Sequence, residues 1–252
     1  MAHSAAQLQK LLDLVAVPTI GTTLPTQLPD NPFPLFKSWL DEEVRAAKVP
    51  NPNAMSVATV APDGTLSNRI LLCRGIDPAL GRVTFFTNHT SRKAGDLLRT
   101  HRTALCFHFD PTDRQVRIEG LVAPSPASES DAYFASRRWE SKLSAWASNQ
   151  SQPIASRDDL LARLPQVIDQ LNLNLDALLT NPMAVTIPRP PHWGGFRVYA
   201  TAFELWLGGT GRLHDRARWE RTLPNSKPGD SWEKLEQAAQ NSAGWKGSRL
   251  QP

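Results

Sequence analysis

The sequence predicts a mainly β fold: an antiparallel barrel with helices flanking it. Two observations carry that prediction. Between residues 54 and 123, short β-branched and aromatic runs alternate with tight turns, a pattern of antiparallel strands rather than of a doubly wound sheet. Between residues 125 and 171 the apolar period changes to that of helices. The chain has 252 residues and is 40% hydrophobic, enough for one full core or at most two small ones. Its 21% charged residues exclude a disordered chain.

The elements follow in order. Residues 1–34 hold Pro18, Pro25, Pro29, Pro32 and Pro34 and are expected to be a flexible arm with at most one short helix. Leu35, Trp39, Leu40 and Val44 recur at helical spacing and predict an amphipathic helix over 35–48, ended by Pro50 and Pro52. AMSVATVA (54–61) reads as a strand. Pro62-Asp63-Gly64 turns the chain, because proline presets φ and glycine accepts a positive one. TLSNRILLCRG (65–75) returns as the other arm of a hairpin. RVTFFTN (82–88), TALCFHFD (103–110) and RQVRIEGLVA (114–123) complete a run of five strands, with one helix at about 91–100 between them.

Ser125 and Pro126 form an N-cap and first-turn pair for a helix reaching about residue 137. A second helix is expected over 140–148. Ser156 caps a third, with Leu160, Leu164, Val167 and Leu171 on one face and a kink or split at Pro165. Residues 173–192 read as a proline-rich loop. FRVYATAFELWLG (196–208) and RLHDRARWE (212–220) read as strands. Residues 35–252 are expected to form one domain.

Composition narrows the function classes. No apolar run is long enough to span a bilayer, and the N-terminus lacks the positively charged start of a secretory signal. Cys73 and Cys106 sit in apolar strand-like runs and are expected to be buried free thiols in a cytoplasmic protein. No Cys/His spacing suggests a metal site. The net charge of +4 is spread along the chain without a polybasic tract. It suits arginines aimed at a small phosphorylated ligand better than nucleic acid.

Five stretches carry candidate chemistry. In TNHTSRKAGDLL (87–98), Thr90 or Ser91 can cap a helix whose first turn carries Arg92 and Lys93. Cations there oppose the helix dipole, unless they join free N–H groups in holding an anion; two solvated surface cations are the alternative. Arg69 and Arg74 bracket the strand NRILLCR. Five positions apart, they face opposite sides and can share a site only through a bulge, a strand end or a ligand that wraps the edge. Gln115 shares a strand face with Arg117 and Glu119, and its amide can read a heterocycle's edge. Tyr133, Arg137 and Ser141 recur every four residues, a stripe suited to a phosphate if the helix is continuous. Arg212 and His214 share a face if RLHDRARWE is a strand throughout, near Trp206 and Trp219, with Arg216 beyond them and Asp215 pointing away. Neither GxGxxG nor GxxxxGK[ST] is present.

The order of these motifs resembles the pyridoxamine 5′-phosphate oxidase family, FMN-dependent enzymes of vitamin B6 metabolism. The matching pieces are NPFPLFKSWL, NAMSVATV, NRILLCR, FFTNHTSRK, RQVRIEG, YFASR, SAWASNQS, WGGFRV, ELW, RLHDR and WKGSRLQP, from about residue 31 to the C-terminus. The resemblance implies a split antiparallel β-barrel, a homodimer, and one FMN per subunit at the dimer interface. It implies that FMN is held by Arg69, Ile70, Leu71, Leu72, Cys73, Arg74, Phe86, Thr87, Arg92, Lys93, Gln115, Gln150, Ser151, Trp206 and Arg216. The substrate would meet Arg74, Tyr133, Arg137, Ser141, Arg212, Leu213 and His214, with Arg212 and His214 as the catalytic clamp on the pyridine ring. The implied reaction oxidises pyridoxamine or pyridoxine 5′-phosphate to pyridoxal 5′-phosphate, with dioxygen leaving as hydrogen peroxide.

The chain departs from the family pattern in five places, one of them a polar insertion over 221–244 that lengthens the last hairpin. Arg74 stands where lysine is usual, Phe86 where tyrosine is usual, and Arg138 where proline is usual. The family's N-terminal Arg-x-x-Tyr segment is not found in LQKLLDLVAVPTIGTTL. Two alternatives are an oxidase of the same fold with another substrate, as in phenazine pathways, and a flavin- or pyridoxal-phosphate-binding protein with little turnover. Retention of Tyr133, Arg137, Ser141, Arg212 and His214 argues against the first.

Overall fold

The computed structural model describes residues 3–15, 17 and 22–252. In chain order its elements are α1 (Ala5–Val15), α2 (Phe33–Ala46), β1 (Ala54–Val60), β2 (Leu66–Leu72), β3 (Gly75–Asp77), β4 (Arg82–Asn88), α3 (Arg92–Thr100), β5 (Arg102–Phe109) and β6 (Arg114–Pro124). They continue with α4 (Ala127–Ala135), α5 (Trp139–Ala147), α6 (Arg157–Leu161), α7 (Arg163–Gln170), α8 (Leu175–Thr180), β7 (Trp193–Leu207), β8 (Asp215–Glu220), α9 (Trp232–Gln240) and β9 (Lys246–Leu250). No described helix is long and apolar enough to cross a membrane.

The strands form one antiparallel sheet in the order β2-β1-β5-β6-β7-β4-β3, with β8 on β7 and β9 on β8. Burial alternates along β5, as a strand with one face in the core requires. The sheet coils around Phe85, Phe107, Val116, Ile118, Phe196 and Phe203, and α2 closes one end with Phe33 and Phe36. Between Glu119 and Gly120 the β6–β7 register shifts, and a Cβ on Gly120 would lie 2.3 Å from the Tyr199 carbonyl oxygen. Only glycine fits this bulge. The order is open, yet the chain leaving β2 turns from β1 to β4: the Arg74 N–H donates to the Thr84 carbonyl (2.8 Å). That crossing brings β2 and β4 together beneath α4 and α5.

Several expectations need correction. The return arm at 65–75 is two strands, because β2 ends at Leu72 and β3 begins at Gly75. Ser125 does not cap α4; Pro126 occupies that position, and the Ser125 hydroxyl is buried without a partner among the described residues. The loop at 173–192 contains α8, whose N-terminus is capped by the Asn174 side chain on the Ala177 N–H. Cys73 is buried, but Cys106 is only half-buried. Ser156 does cap α6, and the helix divides at Ala162, three residues before Pro165.

The insertion at 221–244 contains α9, which lays Leu235, Ala238 and Ala239 on Leu121, Ala123 and Tyr199. Residues 24–34, assigned by sequence to the flexible arm, are fastened to the body. Leu24 is buried, its N–H donates to Asp215 (2.7 Å), and Trp219 Nε1 donates to the Pro29 carbonyl (2.8 Å). The remaining parts of that arm at 1–2, 16 and 18–21 lie outside the described residues.

Candidate active site

The crossing of β2 to β4 opens a cavity of about 740 Å³ under α4, α5 and α6. Ten of the residues singled out by sequence line it: Ile70, Leu71, Leu72, Arg74, Phe86, Thr87, Tyr133, Arg137, Ser141 and Gln150. The stripe of Tyr133, Arg137 and Ser141 is not one helix, since α4 ends at Ala135 and α5 starts at Trp139. The break still leaves all three on the cavity wall. Arg74 reaches it because it lies past the end of β2, where strand alternation no longer applies. Arg69 stays within β2 and turns elsewhere, donating to the Val57 carbonyl, Thr59 Oγ1 and Ser67 Oγ. Cys73 also points away; its Sγ lies against the Gly75 carbonyl, and burial pushes the thiol up to about 11.

Flat rings and guanidinium groups face each other in this cavity. Phe86 stacks on Tyr133 (4.1 Å, 18°) and lies parallel to Trp193 (5.5 Å, 7°). Arg74 sits over Tyr133 at 5.7 Å and Arg137 over Trp193 at 4.8 Å. Among the described residues no carboxylate pairs with either arginine, and Arg137 Nη1 is buried with no partner. Burial pulls the Arg137 guanidinium below its ordinary value, and the charge of Arg74 adds to that. Two neighbouring cations with an unmet donor have the chemistry to satisfy a multivalent anion.

A second cationic site lies at the start of α3. Ser91 holds the N-cap position, but its hydroxyl donates to the Asn88 carbonyl instead of receiving from the helix. Lys93 is 7% exposed, and its Nζ donates to Thr87 Oγ1 (3.1 Å), Ser91 Oγ (3.1 Å) and Gln150 Oε1 (2.5 Å). Burial, then the nearby charge of Arg69, lowers its pKa to about 8. The closest helix carboxylate, Asp96, is buried and receives the Thr59 hydroxyl instead (2.8 Å). Arg92 and Ser151 line a neighbouring depression with His89, Thr90 and Arg99. Thr87 and Gln150 therefore join the lysine to the main cavity.

The remaining candidates gather elsewhere. Gln115 on β6, Trp206 on β7 and Arg216 on β8 are direct cross-strand neighbours. Glu204, 2% exposed, accepts Arg216 through Nε (3.2 Å) and Nη2 (2.8 Å) on one oxygen and Arg117 Nη1 (3.1 Å) on the other. Sequence reasoning passed over Glu204. Its signal was a lone carboxylate inside the apolar run FELWL, which folding tolerates only beside a cation.

Arg212 and His214 do not lie in a strand, because β8 starts at Asp215 and Thr210–Arg212 is a 3₁₀ turn. Gly211 and Arg212 both have φ +65°. A Cβ on Gly209 would lie 2.2 Å from the Leu213 carbonyl oxygen, so this turn requires glycine there. The Gly209 N–H donates to His214 Nδ1 (3.2 Å), leaving the neutral ring's proton on Nε2. The imidazole lies 4.6 Å from the Trp206 ring. Leu213 is 52% exposed.

The length of β7 separates the two groups. Phe86 pairs with Gly195, and Gln115 with Trp206, eleven residues further on. At roughly 3.3 Å per residue that is about 35 Å of strand. None of Gln115, Trp206, Arg212, Leu213, His214 and Arg216 lines the cavity.

Residues 40–171 match the family model described as pyridoxamine 5′-phosphate oxidase, and residues 193–252 match the one described as the pyridoxine 5′-phosphate oxidase C-terminal dimerisation region. The chain belongs to the pyridoxamine 5′-phosphate oxidase family. The pyridoxine/pyridoxamine 5′-phosphate oxidase of Bordetella pertussis is 46% identical over 215 residues, 85% of this chain and 93% of that one. Its namesake from Cupriavidus metallidurans is 45% identical over 196 residues, 78% and 85% of the two chains.

Among solved structures, PhzG from Burkholderia lata 383, in complex with tetrahydrophenazine-1-carboxylic acid, aligns with a TM-score of 0.71 at 27% identity, covering 92% of this chain and all of that one. A pyridoxamine 5′-phosphate oxidase-related, FMN-binding protein from Nostoc punctiforme shares the fold, with a TM-score of 0.59 at 16% identity and coverage of 87% and 97%. The expected fold class, a split antiparallel barrel of the FMN-binding kind with flanking helices, is the one observed.

Proposed function

We propose that this chain is an FMN-dependent oxidase of pyridoxamine or pyridoxine 5′-phosphate, producing pyridoxal 5′-phosphate with dioxygen as acceptor and hydrogen peroxide as product. One observation carries the reading. Two cationic sites, Lys93 at one and Arg74 with Arg137 at the other, lack carboxylate partners among the described residues and are joined by one cavity. A cofactor and a substrate that each bear a phosphate satisfy both. The buried, unpartnered Arg137 Nη1 and the Lys93 ammonium, whose hydrogen-bond partners are all neutral, fit phosphate groups in charge and in hydrogen-bond capacity.

FMN, when bound, supplies the two-electron acceptor. Lys93, Arg92, Thr87, Gln150 and Ser151 would hold it at its phosphate end, with Arg69 adding charge from β2 and Ile70, Leu71 and Leu72 giving an apolar wall. Arg74, Tyr133, Arg137 and Ser141 would hold the substrate phosphate. Gln115, Trp206, Arg216, Arg212, Leu213 and His214 stand about 35 Å away along β7, so a second copy of the chain would bring them to this cavity. That makes the homodimer part of the site, in keeping with the dimerisation region matched at residues 193–252. There Arg212 and the Nε2–H of His214 would orient the pyridine ring, and Glu204 would hold the Arg216 guanidinium in place. The two unbridged cysteines fit a cytoplasmic location.

The second reading keeps the flavin and changes the substrate. Its support is the likeness to PhzG, whose bound ligand is a carboxylic acid. Anaerobic addition of pyridoxamine 5′-phosphate to the yellow holoprotein separates the two. Bleaching of the flavin band with an aldehyde product supports the oxidase reading. A yellow protein that does not bleach favours the altered substrate, and a protein that cannot take up FMN removes both readings.

A further inference from the structure

We infer that Gly195 is a positioning residue for the substrate phosphate site, setting the depth at which the Phe86–Tyr133 stack lies in the cavity. The inference rests on the reading that Arg74, Tyr133 and Arg137 hold that phosphate. Gly195 and Phe86 are directly opposed across β7 and β4, so their side chains share one face of the sheet. Opposite a glycine, an aromatic ring can lie on bare backbone. A methyl at Gly195 would come 2.8 Å from Phe86 Cε1 and 2.5 Å from Ser125 Oγ, well inside the ~3.5–4.0 Å of ordinary contact.

Ser125 has little room to retreat. Its N–H is bonded to the Gly195 carbonyl (2.9 Å), and its hydroxyl is buried. The ring yields instead, toward the cavity. Phe86 carries Tyr133 on its face at 4.1 Å, and Arg74 sits over Tyr133. Trp193, parallel to Phe86, carries Arg137. A displacement of Phe86 therefore reaches both arginines, whereas the Lys93 ammonium is held by Thr87, Ser91 and Gln150. The neighbouring Gly194 is the internal control. It points to the other face of β7, where a methyl would meet His89 Cε1 at 2.7 Å and Ser130 Oγ at 3.2 Å.

The test is steady-state kinetics of the FMN-loaded protein, inhibition by inorganic phosphate, and the protein's flavin content. Gly195→Ala should raise both the KM for pyridoxamine 5′-phosphate and the inhibition constant of inorganic phosphate by about tenfold, with kcat within about twofold and flavin content unchanged. Adding Ser125→Gly, which gives the methyl space on the side away from Phe86, should restore most of the affinity, and Gly194→Ala should leave KM near the wild-type value. A wild-type KM in Gly195→Ala would overturn the inference. So would joint loss of flavin and substrate affinity in both Gly195→Ala and the double variant, since Gly195 would then serve the barrel as a whole. If the unsubstituted protein neither oxidises nor binds pyridoxamine 5′-phosphate, the function reading fails first, and the inference falls with it.

Discussion

The two halves of the candidate site hold their charges in opposite ways. In the cavity half, Arg74, Arg137 and Lys93 face rings, hydroxyls and an amide, and none is paired with a carboxylate among the described residues. In the β7–β8 half, Arg216 is already gripped by the buried Glu204, while Arg212 and His214 ride on a glycine-dependent turn. A cation left without an acid is a vacancy for a ligand's charge; a cation pinned by one is a fixed point for shape. On the proposed reading, the first half would bind and the second would position what has been bound.

Substitutions can break or sharpen that contrast. The largest effect is expected from Arg137→Ala, which removes a charge-assisted contact and should lower kcat/KM by about 100-fold with flavin still bound. A wild-type kcat/KM would mean that the unpartnered guanidinium has no part in binding. Arg212→Ala should lower kcat by about 30-fold at unchanged flavin content; reduced flavin affinity instead would move Arg212 into the binding half.

Lys93→Met should weaken FMN about tenfold, measured by flavin release on dialysis. The same lysine gives a pH signature. It is held at about 8 in the fold, against the ordinary 10.5. The unfolded chain keeps this proton to higher pH, so apoprotein stability should rise between about 8 and 10.5, whereas FMN affinity should fall as pH passes 8 and the charge is lost. Thermal melts and flavin titrations across that window should show opposite slopes, and both should flatten in Lys93→Met. Arg74→Lys is the mildest change and should keep activity within about threefold, because charge is retained and only the planar fork is lost. Abolished activity there would show a cavity rebuilt around arginine.

Much of this was legible in the sequence, and the failures have one cause. The strand at 82–88 was bounded correctly, because a turn precedes it, a helix start follows it and β-branched and aromatic residues fill it. Lys93 stands out because a cation in a helix's first turn violates a local rule. What the sequence hid depends on contacts that element patterns do not show, most of them with partners far along the chain. RLHDR looks like a strand until Gly209 and Gly211 fold it into a turn held by the Leu213 backbone and the Val17 carbonyl. Ser125 looks like a cap, but the β7 backbone takes its N–H. Glu204 looks like an intrusion into an apolar strand until Arg117 and Arg216 arrive from both sides. Arg69 and Arg74 part, as alternation predicts, but what alternation does not show is that the chain leaves β2 at Leu72 and carries Arg74 across to β4.

The length of β7 has a genetic consequence. If each site takes its phosphate grip from one copy and its ring clamp from another, the two lesions are separable by chain. A protein carrying Arg137→Ala and a protein carrying Arg212→Ala would each be impaired alone. Mixed and allowed to exchange subunits, they should regain about a quarter of the wild-type number of intact sites, since roughly half the dimers are mixed and each mixed dimer rebuilds one of its two sites. Such complementation between two defective alleles would follow from nothing more than the eleven-residue step along β7 from Gly195 to Trp206.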